Sequence, residues 1–198
     1  MKKIFCVLVA IVLFAGPGCA EEPLSKMYST IYDPGKLKPI DSELRVKVGD
    51  PAPDFALTSV AGDVVRLSDY KGRTNVVLSF IPAAWTPVCS GQWPGYNIAR
   101  TEFEKNNAIL LGISVDNIPT LYAWTEQMGK LWFPVLSDFF PHGAVAQKYG
   151  VLRSDGTAER ALIYINKKGI ISAIHVSDIN IRPPLEDIFQ ELQKFSES

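Results

Sequence analysis

The stretch that decides the fold is residues 76–90, "VVLSFIPAAWTPVCS". It sits in the β-rich run 75–81, whose apolar Val76, Val77 and Leu78 predict a strand buried at the centre of a sheet. A loop follows, and a helix is predicted to begin near Pro87 or Val88. Cys89 then lies in the first turn of that helix. Unpaired backbone N–H groups and the helix dipole favour negative charge at such a place. A thiolate is such a charge, and a cysteine so placed can act as a nucleophile at neutral pH.

Outward from this segment the chain alternates between strand and helix patterns. Residues 55–60 and 64–67 flank Ala61-Gly62-Asp63 and read as a β-hairpin. Downstream, "AILLGISV" (108–115) is a second buried strand, 119–128 a helix and 133–136 a short strand. Residues 143–148 read as a short helix stopped by Gly150. Residues 160–166 and 170–176 form a hairpin around Lys167-Lys168-Gly169. The terminal helix, 184–195, carries Leu185, Ile188, Phe189 and Leu192 at helical spacing. Pro94 should kink or interrupt the helix that starts near Pro87. This order predicts an α/β fold with a mixed central sheet flanked by helices. It is also the order of a thioredoxin-like fold with an N-terminal β-hairpin extension.

The first 20 residues stand apart. A basic start at Lys2-Lys3, the apolar run 4–15, the small residues 16–20 and then Glu21-Glu22 follow the order of a secretory signal. The apolar run is shorter than the roughly 20 residues a membrane-spanning helix needs. Cleavage after Ala20 and lipidation at Cys19, in a bacterial lipoprotein leader, are the two competing outcomes. Either predicts export to the periplasm, free or membrane-tethered. Residues 21–45 read as a linker or loose N-terminal arm, and 46–198 as one domain.

The formal net charge is −1, and it becomes more negative once Lys2 and Lys3 leave with the leader. A mildly acidic protein has no general attraction for nucleic acid. Aromatic and aliphatic residues suffice for a core, which excludes disorder. Of the three cysteines, Cys6 and Cys19 lie in the leader and only Cys89 lies in the domain. An exported chain with one cysteine forms no internal disulfide, and its thiol is a liability unless buried or used.

The use follows from the neighbours. Trp85-Thr86-Pro87-Val88-Cys89 has the spacing of a thioredoxin Trp-Cys-x-x-Cys site, with threonine at the first cysteine. Dithiol exchange within the site is excluded. A lone thiolate can instead attack a peroxide oxygen and become a sulfenic acid. The Thr86 hydroxyl can donate toward sulfur or peroxide, and apolar Pro82, without an N–H, can wall off the pocket. Taken alone, Cys89 reads as an inert buried thiol; Pro82 and Thr86 reverse that.

Pro82-x-x-x-Thr86-x-x-Cys89 resembles the active-site signature of the peroxiredoxins. "GDPAPDFALT" (49–58), "LGISVD" (111–116), "FPVLSDFFPHGAVAQKYGV" (133–151) and "ERALIYINKKGII" (159–171) follow in that family's order, so the resemblance covers residues 46–195. It implies a thioredoxin-like fold and a thiol-dependent peroxidase acting on hydrogen peroxide or small organic hydroperoxides. It implies that Cys89 is the nucleophile, that Thr86 and Arg160 orient peroxide, and that Pro82 shields the product. Arg153 and Arg100 match the family's arginine less well than Arg160. Gln92 stands where some branches carry glutamate and is expected to support the site, as is Trp85 in the pocket wall. No cofactor is implied. His142 and His175, isolated and without cysteines, make a poor metal-ligand set. With no resolving cysteine, the resemblance implies a one-cysteine cycle regenerated by an external thiol, small or proteinaceous. A homodimer is common in the family. The rival readings are an exported thioredoxin-like thiol–disulfide oxidoreductase and a redox-inactive binding module. The first lacks its second cysteine, and the second would want a damaged Pro/Thr/Arg set.

Overall fold

The computed structural model describes residues 29–195. The leader, with Cys6 and Cys19, lies outside the described residues. Seven strands form one sheet in the order β2-β1-β5-β4-β3-β6-β7. The strands are β1 (Ala56–Ser59), β2 (Val64–Arg66), β3 (Asn75–Phe80), β4 (Ala108–Ser114), β5 (Val135–Ser137), β6 (Arg160–Ile165) and β7 (Ile171–Ser177). β3 runs parallel to β4 and antiparallel to β6, so the sheet is mixed, as expected. All six residues of β3 are buried, which is why its sequence is nearly continuous in apolar residues.

Side chains alternate between the two faces, as strand geometry requires. Val77, Leu110, Leu162 and Tyr164 face one core, and Val76, Leu78, Leu111, Ile163 and Ile165 face the other. Helices α1 (Pro87–Tyr96), α2 (Arg100–Lys105), α3 (Ile118–Met128) and α5 (Leu185–Lys194) cover the first face through Trp93, Phe103, Trp124 and Ile188. Helix α4 (Ala144–Tyr149) covers the second through Val145, Ala146 and Tyr149. Gly112 of β4 faces α1. A Cβ there would lie 2.8 Å from the Trp93 ring, so the bare backbone makes room for the indole.

Pro94 acts as its chemistry demands, and α1 ends two residues beyond it. The chain then tightens into three-residue turns, with Asn97 N–H donating to Pro94 O at 3.1 Å and Ala99 N–H to Tyr96 O at 3.1 Å. It restarts as α2, a helix the sequence reading did not separate.

Residues 29–45 form neither strand nor helix, yet they are stitched to the domain along their length. Tyr32 N–H donates to Trp85 O at 2.8 Å, and Ile179 N–H to Pro39 O at 3.1 Å. Leu37 and Asn180 exchange two bonds of 2.9 Å each. Asp41 N–H donates to Glu159 Oε1 at 2.6 Å, and Arg153 to Lys38 O at 2.9 Å. Gly150 (φ +74°) ends α4 in the left-handed region. The arm crosses directly over it: a Cβ at Gly150 would lie 2.2 Å from Glu43 O. Glycine is therefore required twice, for backbone angle and for close approach.

Candidate active site

Thr86 is the N-cap of α1, with Pro87 and Val88 ahead of Cys89 in the first turn. Proline suits this turn because its missing N–H would have had no helical partner. The first helical bond runs from Ser90 N–H to Thr86 O at 3.0 Å. The Thr86 side chain does not cap the helix. Its hydroxyl donates to Ala83 O at 3.0 Å, which leaves its oxygen lone pairs available. The loop before α1 is pinned from β4's end by Asp116, whose Oδ2 accepts from Ala84 N–H at 2.8 Å and from the Ser114 hydroxyl at 2.6 Å. Between these anchors Trp85 takes φ +60°, a strained angle for a side-chain-bearing residue.

Cys89 is fully buried. Arg160 begins β6 on the same sheet face as Leu162 and Tyr164, so the strand's alternation carries its guanidinium beneath α1. Its Nη1 and Nη2 lie 3.6 and 3.5 Å from Cys89 Sγ. The fork is held in place by neutral acceptors. Nε and Nη2 donate to Ile179 O at 3.2 and 2.9 Å, and Nη1 donates to Gln92 Oε1. Gln92 is held in turn, its Nε2 donating to Tyr96 Oη at 2.7 Å. Burial pushes the Tyr96 phenol up to about 12, against the opposing pull of the Gln92 bond. At neutral pH the chain Arg160–Gln92–Tyr96 therefore reaches an uncharged hydroxyl.

The sequence-derived residues are mostly brought together. Pro82, Thr86 and Arg160 line one cavity of about 590 Å³; Cys89 itself is fully buried, does not line it, and is reached through Arg160. Trp85 does not line that cavity; it packs against the core cluster that contains Cys89. Arg153 pairs with Glu159 and Arg100 with Glu104, so neither is a hydrogen-bond partner of the sulfur. His142 bonds to Gly156 O and His175 to Glu191, in separate places. Among the described residues no group of three or more His, Cys, Asp and Glu is arranged to hold a metal.

Sequence reasoning missed Tyr96, the Ile179 carbonyl and the arm. Tyr96 was within reach, since Cys89, Gln92, Trp93 and Tyr96 share one helical face at i, i+3, i+4 and i+7. The Ile179 carbonyl is backbone and leaves no sequence signal.

The AhpC/TSA family model matches residues 48–174. Alkyl hydroperoxide reductase E of Mycobacterium tuberculosis is 42% identical over 127 residues, covering 64% of this chain and 82% of that protein. A chloroplastic 2-cysteine peroxiredoxin of Chattonella marina var. antiqua is 33% identical over 159 residues, covering 76% and 80%. Among solved structures, the reduced 2-Cys peroxiredoxin of Plasmodium vivax superposes with a TM-score of 0.71 at 26% identity, covering 77% of this chain and 83% of that one. With the fold, the site and these likenesses in agreement, the chain belongs to the AhpC/TSA family, the peroxiredoxins.

Proposed function

We propose that Cys89 is the peroxide-reducing nucleophile of this thiol-dependent peroxidase. Thiol-dependent peroxide reduction is the activity of the peroxiredoxin family. The observation that supports the assignment is the Arg160 fork, 3.5 and 3.6 Å from Cys89 Sγ, on the wall of a cavity it shares with Pro82 and Thr86. The Cys89 thiolate attacks the terminal oxygen of R–O–O–H. The O–O bond breaks, sulfur is oxidised to Cys89–SOH, and the leaving alkoxide takes a proton and departs as ROH. Arg160 N–H groups face the charge as it moves from sulfur to the leaving oxygen, where preorganised donors are worth most. The Thr86 hydroxyl re-aims from Ala83 O toward the peroxide, and Pro82 keeps an apolar wall beside the sulfenate.

The cycle closes without a second cysteine in the domain. An external thiol attacks Cys89–SOH, releasing water and leaving a mixed disulfide. A second thiol then frees Cys89 and forms the reductant's disulfide. In this reading residues 1–20 are an export leader, the mature protein is periplasmic, and Cys19 is either removed with the leader or lipidated as a tether. Cell fractionation with mass spectrometry of the mature N-terminus tests that part, and a cytoplasmic protein beginning at Met1 would refute it.

The decisive experiment follows peroxide consumption with dithiothreitol, wild type against Cys89→Ser, with trapping of the sulfenic acid after one equivalent of peroxide. The expected result is turnover that disappears with Cys89→Ser and an oxygen adduct mapped to Cys89. A Cys89 no more reactive than free cysteine would overturn the assignment.

A further inference from the structure

We propose that the N-terminal arm, residues 32–37, is a substrate-selecting wall of the cavity lined by Pro82, Thr86 and Arg160, favouring organic hydroperoxides with an apolar body over hydrogen peroxide. The inference rests on the peroxidase assignment to Cys89 and adds the residues that choose its substrate. The arm lies outside the stretch that matches the family, residues 48–174.

The first argument is size. The cavity holds about 590 Å³, whereas a water molecule's share of liquid volume is about 30 Å³. Hydrogen peroxide, only two heavy atoms, would leave most of it unfilled. Cavities of roughly 300–1,000 Å³ with apolar walls and a few convergent polar groups suit organic ligands.

The second argument is the arrangement of the walls. Thr86 and Arg160 supply the polar groups nearest the sulfur; the arm's Tyr32, Pro34 and Leu37, with Val88 and Ile179, supply apolar surface, and the arm's charged Asp33 and Lys36 line the cavity as well. An organic hydroperoxide has the same division, a polar –OOH on an apolar body. Placing the –OOH at Arg160 leaves the body against Leu37 and Tyr32.

The third argument is rigidity. Tyr32 is tied to Trp85 O at 2.8 Å, in the loop that leads to Cys89. Leu37 is tied in both directions to Asn180, next to the Ile179 carbonyl that holds Arg160. The wall and the catalytic fork therefore share anchors, and the geometry between them is fixed before substrate arrives. A preformed wall adds binding without the cost of ordering a loop.

The test uses the full chain with Tyr32→Ala and Leu37→Ala. The Tyr32 side of the wall can be trimmed without harming the core, since that residue is 71% exposed. Second-order rates of Cys89 oxidation are measured with cumene hydroperoxide and with hydrogen peroxide, and the ratio of the two is the readout. The ratio is expected to exceed one in the wild type, to fall about tenfold in Leu37→Ala, the change typical of lost apolar pocket contact, and to fall less in Tyr32→Ala. A wild-type ratio at or below one, or a ratio unchanged in both variants, overturns the wall while leaving the peroxidase assignment standing if hydrogen peroxide still oxidises Cys89. Variants that change only the rate at which a thiol reduces the sulfenic acid overturn it too, assigning the arm to the reductant. Failure of both peroxides to oxidise wild-type Cys89 overturns both readings.

Discussion

Arg153 and Arg160 lie seven residues apart, and both are almost wholly buried. Arg153 meets a carboxylate, Glu159, at 2.7 Å, and both side chains of that pair are out of solvent. Arg160 has no carboxylate among its partners; it meets the Ile179 carbonyl, the Gln92 amide and the Cys89 sulfur. A buried charge is costly unless paired. Around Arg153 the pairing is complete: Nε also meets the Asp155 carboxylate at 3.5 Å, and Nη2 donates to Lys38 O of the arm. Around Arg160 the one partner able to become an anion is the sulfur. One arginine is neutralised by carboxylates within the structure; the other is left to a thiol, as the proposed chemistry requires.

Breaking the first arrangement should have the larger effect. Glu159→Gln removes the buried anion facing Arg153 and leaves it only the more exposed Asp155 carboxylate at 3.5 Å; the change is expected to cost toward the lower end of about 3–5 kcal/mol of stability, read from urea denaturation. The paired change Arg153→Met with Glu159→Leu should recover much of that loss. If Glu159→Gln unfolds at the wild-type midpoint, the buried ion pair is not holding the arm's base. Breaking the second arrangement should show in rate. Arg160→Met removes the donors facing sulfur and is expected to slow Cys89 oxidation by roughly 10²–10³-fold, or about 2.7–4 kcal/mol in the barrier. Arg160→Lys should restore only part, because a lysine lacks the planar fork that reaches sulfur and Gln92 together. Equal rates in wild type and Arg160→Met would mean that the guanidinium only fills space.

These regions also differ in how far the sequence exposed them. Pro82, Thr86 and Cys89 were legible because strand, loop and first helical turn follow directly along the chain. Arg160 was found through family order; once placed, the alternation of β6 explains its direction. Pro94 predicts the break in the helix, whereas Tyr96, two residues beyond it, is marked only by its helical spacing from Cys89. The arm was harder. Its attachments join residues far apart in sequence, such as Asp41 to Glu159, and many use backbone groups of no particular residue type. Gly150 was read as a helix stop, which it is, but a stop signal does not announce a second chain crossing above it. Gly150→Ala tests that crossing. The left-handed angle alone costs about 1–2 kcal/mol, and the new Cβ must push the arm off Glu43 O. A total above about 2 kcal/mol is expected in thermal or urea unfolding, together with faster proteolysis of the arm. A neutral Gly150→Ala would show that the arm does not rest there.

The smallest effect separates the supports of Arg160 from one another. Tyr96 carries the Arg160–Gln92 chain on to Ser79, and burial raises its phenol from an ordinary 10.0 to about 12. Its folded value is raised, so its contribution is fully present below pH 10 and is lost as pH climbs from 10 toward 12. In the unfolded chain the same phenol ionises near 10, so unfolding gains the charge that folding forbids. At pH 11 the difference amounts to about 1.4 kcal/mol for this one group. Tyr149 and Tyr164 are raised by burial as well and add slope of the same sign. Tyr96→Phe should therefore lower stability slightly at pH 7, where Gln92 loses a partner, and flatten the fall in stability above pH 10. The pH profile, unlike a single midpoint, distinguishes lost titration from lost packing. An unchanged slope in Tyr96→Phe would place the alkaline titration on Tyr149 and Tyr164 and leave Gln92 anchored by Arg160 alone.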